Sequence, residues 1–206
     1  MVIGICGLIG SGKGTVADML VREFGYTKLS FADSLKDAVA AVFGWPRDML
    51  EGDTEQSRAW RDTPDEWWAR RLDMPGLTPR KVLQLWGTEV CRQNWHNDIW
   101  ILSIERKIRD IRLLAAENYT YANIVIPDTR FPNEIETIQK LGGKIWMVKR
   151  GTEPKWFIDY RDSGIIPSDQ HASEYMWAKS QFDAVIENDS DIDALALRVR
   201  ELVNTP

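Results

Sequence analysis

Short apolar runs alternate along this chain with stretches whose apolar residues return every three to four positions. Val2-Ile3-Gly4-Ile5-Cys6 is a mostly β-branched run that stops at a glycine cluster, the pattern of a buried parallel strand. From Thr15 to Phe24 the apolar positions Val16, Met19, Leu20 and Phe24 recur at helical spacing, and Gly25 is placed to cap that helix. The pattern then predicts a short strand over Tyr26 to Ser30. A helix over Ala32 to Phe43 follows, with Leu35, Ala38, Val39, Val42 and Phe43 on one face and Gly44 as its end. Thr78, with Pro79 next to it, reads as the start of a helix whose apolar face is Val82, Leu83, Leu85, Trp86 and Val90. A long amphipathic helix is predicted from about Ile99 to Glu117 through Leu102, Ile104, Ile108, Ile111 and Leu114. Strands over Asn123 to Asp128, Lys144 to Lys149 and Ala184 to Glu187, a helix over Asn133 to Leu141, and a last helix to Val203 opened by Ser190 and Asp193 as a capping box complete the alternation. Five strands alternating with helices predict an α/β fold built on a mainly parallel sheet flanked by helices.

Two stretches break the pattern. Between Arg47 and Gly76 mixed charges are interleaved with Trp60, Trp67 and Trp68 and no single period runs through them, so an irregular insertion is expected. Those tryptophans suit the core of the insertion, or a surface that stacks a base. Gly151 to His171 carries Pro154, Gly164 and Pro167 among charges and aromatics, the chemistry of a loop or lid. The expected organisation is therefore one domain, with its core at about 1–46, 78–150 and 182–206, an insertion at about 47–77 and a lid at about 151–178.

Composition narrows the function. A 206-residue chain that is 44% apolar and 28% charged suits one domain with a sizeable core. The net charge of −5 gives no general footprint for nucleic acid or membrane, so anionic ligands must be met by local groups. Cys6 and Cys91, the two cysteines, have no metal or disulfide spacing and read as reduced thiols. The apolar opening from Met1 to Cys6 lacks a basic flank and breaks at Gly7, which fits neither a secretory signal nor a membrane span. A cytoplasmic protein is expected.

The candidate chemistry sits at Gly7-Leu8-Ile9-Gly10-Ser11-Gly12-Lys13-Gly14-Thr15, between the first predicted strand and helix. Without Cβ atoms at Gly10, Gly12 and Gly14 the backbone can turn its N–H groups around phosphate oxygens, while the helix start and Lys13 meet the remaining charge. A merely tight turn would need Gly10 and Gly12 but not Lys13. Gly14 stands where a hydroxyl usually follows the lysine, and Thr15 supplies one a place later, which puts a direct hydroxyl ligand for magnesium in doubt. Asp128 ends an apolar strand, where it can hold a magnesium-bound water or simply cap a turn.

The Gly-Lys-Gly-Thr ending resembles nucleoside monophosphate kinases. Ser30-Phe31-Ala32-Asp33-Ser34-Leu35-Lys36, Leu83-Gln84-Leu85-Trp86-Gly87-Thr88-Glu89 with Arg92, and Pro127-Asp128-Thr129-Arg130-Phe131-Pro132-Asn133-Glu134 together resemble the signature blocks of phage deoxynucleoside monophosphate kinases, and Ile186-Glu187-Asn188-Asp189 resembles that family's last strand. The resemblance implies a phosphate-loop kinase fold with a monophosphate-binding insertion and a lid. The implied reaction passes the γ-phosphoryl of ATP, with Mg2+, to a (deoxy)nucleoside 5′-monophosphate for DNA precursor synthesis, in the host cytoplasm if the chain is phage-encoded.

The resemblance also distributes roles. Lys13, Arg130, Asp128 and Arg150 are the catalytic candidates; Gly10, Ser11, Gly12, Lys13, Gly14, Thr15 and Asn188 would hold the donor; Asp33, Lys36, Trp86, Thr88, Arg92 and Arg130 would hold the acceptor; Asp128 would reach the metal through water. Arg161 is a weaker candidate than Arg150, and Arg92 has a helix salt bridge with Glu89 as its plainer role. His171, with Ser173 and Glu174, resembles a family block at the far end of the lid, where a histidine also serves as a structural hydrogen-bonder. The partner expected is a small molecule, with a homodimer left open. The competing readings are another small phosphate-loop kinase, such as one for dephospho-coenzyme A, and a phosphate-loop ATPase or nucleotide switch.

Overall fold

β1 (Val2–Cys6) is buried along its whole length, and each strand that flanks it runs parallel to it. The structure, a computed structural model, describes residues 1–204. They form two units, the first made of residues 1–30 with those from 104 onward, the second of residues 31–103.

The first unit holds a five-stranded sheet in the order β2-β3-β1-β4-β5, with β2 at Thr27–Lys28, β3 at Ile124–Ile126, β4 at Lys144–Lys149 and β5 at Ala184–Glu187. Every neighbouring pair is parallel. The chain leaves β1 toward β2 on one side and reaches β4 on the other, so the strand order reverses beside β1, and the crevice at the carboxyl ends of the strands there is where open α/β sheets bind ligands. Strand alternation sends Ile3, Ile5, Val125, Trp146, Val148 and Ile186 to one face, against α1 (Lys13–Phe24) and α9 (Ile192–Asn204). On the other face Gly4 makes room for α7 (Pro132–Lys140), because a Cβ there would lie 2.5 Å from Ile138 Cδ1. The expected α/β fold with a parallel five-stranded sheet is the one observed.

The second unit is helical and aromatic. α2 (Asp33–Phe43), α3 (Glu55–Asp62), α4 (Glu66–Arg71) and α5 (Pro79–Gln84) bury Leu35, Val39, Phe43, Trp45, Leu50, Leu77 and Val82, with Trp60, Trp68 and Trp86 packed against them. Ring centroids of Phe43 lie 4.5 Å from Trp45, 4.8 Å from Trp68 and 5.5 Å from Trp86, spacings at which aromatic edges and faces attract. After α5 the winding loosens into a π-helix over Leu85–Gln93. α6 (Ile99–Glu117) starts in this unit and continues into the first.

Several expectations are corrected. The 47–76 stretch is not irregular throughout: Thr54 and Ser57 close a capping box at the start of α3, and Asp65 caps α4 by accepting from Trp67 and Trp68 N–H. Its tryptophans divide, Trp60 and Trp68 joining the core and Trp67 lying exposed. Within 151–171, Lys155–Ser163 forms a helix (α8) closed by the left-handed Gly164. The strand over Tyr26 to Ser30 shortens to two residues. Val90 is exposed rather than on the apolar face, because π-winding changes the angle per residue and carries it around the axis. On α6 the buried residues are Trp100, Ile101, Ile104 and Ile108, while Leu102 and Leu114 face solvent. The last helix is capped by Asp191, which accepts from Ala194 N–H, rather than by Ser190.

Candidate active site

The loop from Gly7 to Thr15 is built by three backbone requirements. Gly7, Gly10 and Gly12 have φ of 150°, 79° and 103°, the region that side chains resist. A Cβ on Gly7 would meet Val148 O at 2.4 Å, and one on Gly12 would meet Asn188 Nδ2 at 2.4 Å. Gly14, by contrast, opens onto free space. Asn188, at the end of β5, donates its amide to Ser11 O at 2.8 Å and so ties the loop to the sheet. Ser11 Oγ is buried and has no hydrogen-bond partner among the described residues, an unmet polar group inside the turn.

Lys13 folds back beneath the loop, its ammonium donating to Gly7 O at 2.7 Å and Leu8 O at 2.8 Å. Burial first, then the Arg130 charge, bring it down to about 7, with Glu174 and Asp128 acting in the opposite direction. An arriving phosphate would supply the negative charge this ammonium lacks. Asp128 follows β3 and accepts from Ser30 Oγ at 2.5 Å. Arg130 donates through Nη1 to Glu174 Oε1 at 2.6 Å and to Ser173 O at 3.3 Å. Its own turn is fixed from behind, since the buried Glu134 carboxylate accepts from the backbone N–H of Arg130 and Phe131.

A cavity of about 350 Å3 opens beside the loop, lined in part by Ile9, Ser11, Arg150, Trp156, Gln170 and Glu174. Arg150 therefore sits against the loop, while Arg161 is engaged by Glu153 at 2.7 Å and Asp162 at 2.8 Å. Ile9, Trp156, Gln170 and Glu174 were not legible as lining residues. The pairing of residues 170–174 with a loop at residues 8–11 is purely tertiary, and only the His171-Ala172-Ser173-Glu174 block hinted at it.

The acceptor candidates other than Arg130 lie in the second unit. Lys36 is buried and pairs with Glu51 at 2.6 Å, while Asp33 lies 3.6 Å from Arg47, so the two are not partners of one another. Burial pushes the Glu51 carboxyl up, but Lys36 and Arg47 together hold it below its usual range. Trp86 packs edge-on to Phe43. Thr88 and Arg92 are buried in the π-helix, where Arg92 donates to Asn97 O at 3.3 Å and the Trp100 indole N–H takes Gly87 O at 2.9 Å.

Residues 73–199 match the deoxynucleotide monophosphate kinase family. A protein of Acanthamoeba polyphaga mimivirus that bears the deoxynucleotide monophosphate kinase name is 31% identical over 201 residues, covering 94% of this chain and 91% of that one. The chain belongs to the deoxynucleotide monophosphate kinase family. Within that kinase family it is also similar to the deoxynucleoside-5′-monophosphate kinase of Escherichia phage T5, at 42% identity over 64 residues, 31% of this chain and 22% of that one. Among solved structures, a dephospho-CoA kinase from Campylobacter jejuni aligns at 12% identity and a TM-score of 0.46, covering 98% of this chain and 95% of that one. Among the described residues of this kinase-family chain, no group of three or more His, Cys, Asp or Glu side chains is placed to hold a metal, and no helix is long and apolar enough to cross a membrane.

Proposed function

We propose that the chain transfers the γ-phosphoryl group of ATP to a (deoxy)nucleoside 5′-monophosphate, giving the diphosphate for DNA precursor synthesis. Kinase activity is the activity of its family. The observation that carries the donor half is the preformed loop from Gly7 to Thr15, in which Lys13 is held by carbonyls that a phosphate would replace as its partner.

Phosphoryl transfer needs positioning and charge neutralisation more than covalent help from the protein. Loop N–H groups from Gly10 to Thr15 and the Lys13 ammonium take the donor phosphates. Arg130 and Arg150 meet the charge on the transferring group, and Asn188 both braces the loop and borders the donor base. Asp33, Lys36, Trp86, Thr88 and Arg92 receive the acceptor. The orphaned Ser11 hydroxyl and the Asp128 carboxylate are hard oxygen donors of the kind Mg2+ takes, so the residues present fit a nucleotide-bound magnesium, held by Asp128 through water. When bound, that ion neutralises phosphate charge. The 151–178 segment is the lid that excludes water from the reacting phosphates. The reaction belongs in the cytoplasm, that of the host if the chain is phage-encoded.

The test is ATP consumption measured with each deoxynucleoside and ribonucleoside monophosphate, and with dephospho-coenzyme A, one at a time. Stimulation by one or more 5′-monophosphates, absent from Lys13→Ala, is expected. Stimulation by dephospho-coenzyme A alone, or equal hydrolysis with every acceptor, would replace this reading with another small-molecule kinase or an ATPase.

A further inference from the structure

The block His171-Ala172-Ser173-Glu174 lies within the proposed lid but has no individual role above, yet it meets Arg130 across 44 positions of sequence. Glu174 Oε1 accepts from Arg130 Nη1 at 2.6 Å, and the carbonyl of Ser173 accepts from the same nitrogen at 3.3 Å. Both contacts fall on one end of the guanidinium. Its Nε and Nη2 have no protein partner among the described residues, so the other edge, the one that can grip two oxygens at once, is left for a ligand.

Glu174 is itself held. It ends a single turn of 3-10 helix, Ala172–Glu174, whose N-cap is His171, and His171 Nδ1 accepts from Ser173 N–H at 3.3 Å. The Ser173 hydroxyl lies 2.9 Å from His171 Nδ1 and 3.4 Å from Glu174 Oε1, bridging the cap to the carboxylate. The Glu174 side chain is 13% exposed against 27% for Arg130, so the pair is shielded enough for its geometry to persist. Glu134 fixes the backbone of Arg130, and Glu174 fixes the far end of its side chain.

We infer that Glu174 is a positioning residue of the transfer reaction, braced by His171 and Ser173, which holds the Arg130 guanidinium with its Nε–Nη2 edge turned to the transferring phosphoryl group. The inference rests on the phosphotransfer reading for its role in turnover, but not for the contact it describes. A long arginine side chain loses much rotamer freedom when it is fixed, and an enzyme that fixes it before substrate arrives avoids that cost in the transition state. Because the proposal needs an acceptor atom rather than a charge at position 174, glutamine should substitute for glutamate and alanine should not.

The experiment has two arms. In the first, nitrogen-15 arginine spectra of the full chain are recorded at low temperature, with the Arg130 signals assigned by their loss in Arg130→Lys. Slow guanidinium rotation, seen as separate Nη resonances, is expected in the wild type and in Glu174→Gln and is expected to average out in Glu174→Ala. In the second, steady-state kinetics should give Glu174→Ala a kcat at least tenfold below wild type with KM for ATP changed less than threefold, and Glu174→Gln a kcat within about threefold. On an Arg130→Ala background the Glu174→Ala change should cost nothing further. Averaged Arg130 signals in the wild type overturn the inference whatever the turnover. So do additive losses in the double variant, or a Glu174→Ala enzyme with full kcat and tighter ATP binding, which would make the carboxylate a competitor for Arg130. A wild type with ordered Arg130 signals but no transfer to any monophosphate would sink the proposed reaction and leave the positioning contact standing.

Discussion

The phosphate loop and the π-helical segment Leu85–Gln93 are both proposed to hold phosphate, and they are made in opposite ways. In the loop, the geometry is written into residues adjacent in sequence: three glycines with positive φ, a lysine that reaches carbonyls five and six residues behind it, and one distant amide, Asn188, as a tie. In the π-helix nothing local demands the wider winding. Gly87 is pressed so close to Leu35 that a Cβ would come within 2.8 Å, and its carbonyl is taken by the Trp100 indole rather than only by the helix. A site made by local backbone chemistry is damaged mainly at its own residues. A site made by tertiary packing can be damaged from a distance.

The largest effect should come from the loop. Lys13→Ala is expected to lower kcat by about 10²–10³, as loss of one charge-stabilising donor does elsewhere, with an unchanged melting curve. Turnover assays paired with thermal unfolding check both halves, and near-wild-type turnover in a folded variant would remove the loop from the mechanism.

Trp100→Phe strikes the other site from outside. It leaves the buried Gly87 carbonyl without its indole donor, a loss of about 1–3 kcal/mol in stability. If the packing sets the π-winding, KM for the acceptor should rise while KM for ATP does not; equal changes in the two constants would mean that the segment is not specific to the acceptor.

The next effect tests whether Lys13 is as depleted of charge partners as its position implies. Its ammonium titrates near 7 in the free protein, and bound phosphate should raise that value, so binding takes up a proton above pH 7. Affinity for ADP should then fall with rising pH between about 7.5 and 9, by up to tenfold (about 1.4 kcal/mol) per pH unit, and should be flat in Lys13→Ala. Titration calorimetry in buffers of different ionisation enthalpy reads the uptake, which should approach one proton at pH 8. No uptake would mean that the lysine is already charged.

Thr78→Ala should be the smallest. Thr78 caps α5, its hydroxyl accepting from Lys81 N–H at 3.2 Å, and its loss should cost about 1 kcal/mol in denaturant unfolding. Because α5 runs directly into the π-helix, a small rise in acceptor KM is expected beside it.

Much of the frame was legible in advance because strand and helix periods are short-range signals. β4 and β5 begin and end where the apolar runs do, and Gly25 and Gly44 close their helices in the left-handed conformation their positions suggested. The misreadings fall where local and tertiary demands diverge. α8 buries only Phe157 fully and carries charge at Lys155, Asp159, Arg161 and Asp162, so its period is faint, and the Pro154 and Gly164 that flank it read as loop. Val90 falls on the apolar face only at 3.6 residues per turn, which the π-winding does not keep.

By itself, then, the sequence determined the parallel α/β frame and the shape of the glycine loop from Gly7 to Thr15, since both rest on periodicity and on glycines whose φ angles other residues resist. Only the tertiary structure decided which distant residues complete the chemistry. It set Asn188 against Ser11, Glu174 against Arg130 and Trp100 against Gly87, contacts separated by 177, 44 and 13 positions. No local rule links such residues, because what brings them together is the burial of the sheet and of the aromatic core rather than any preference of the residues themselves.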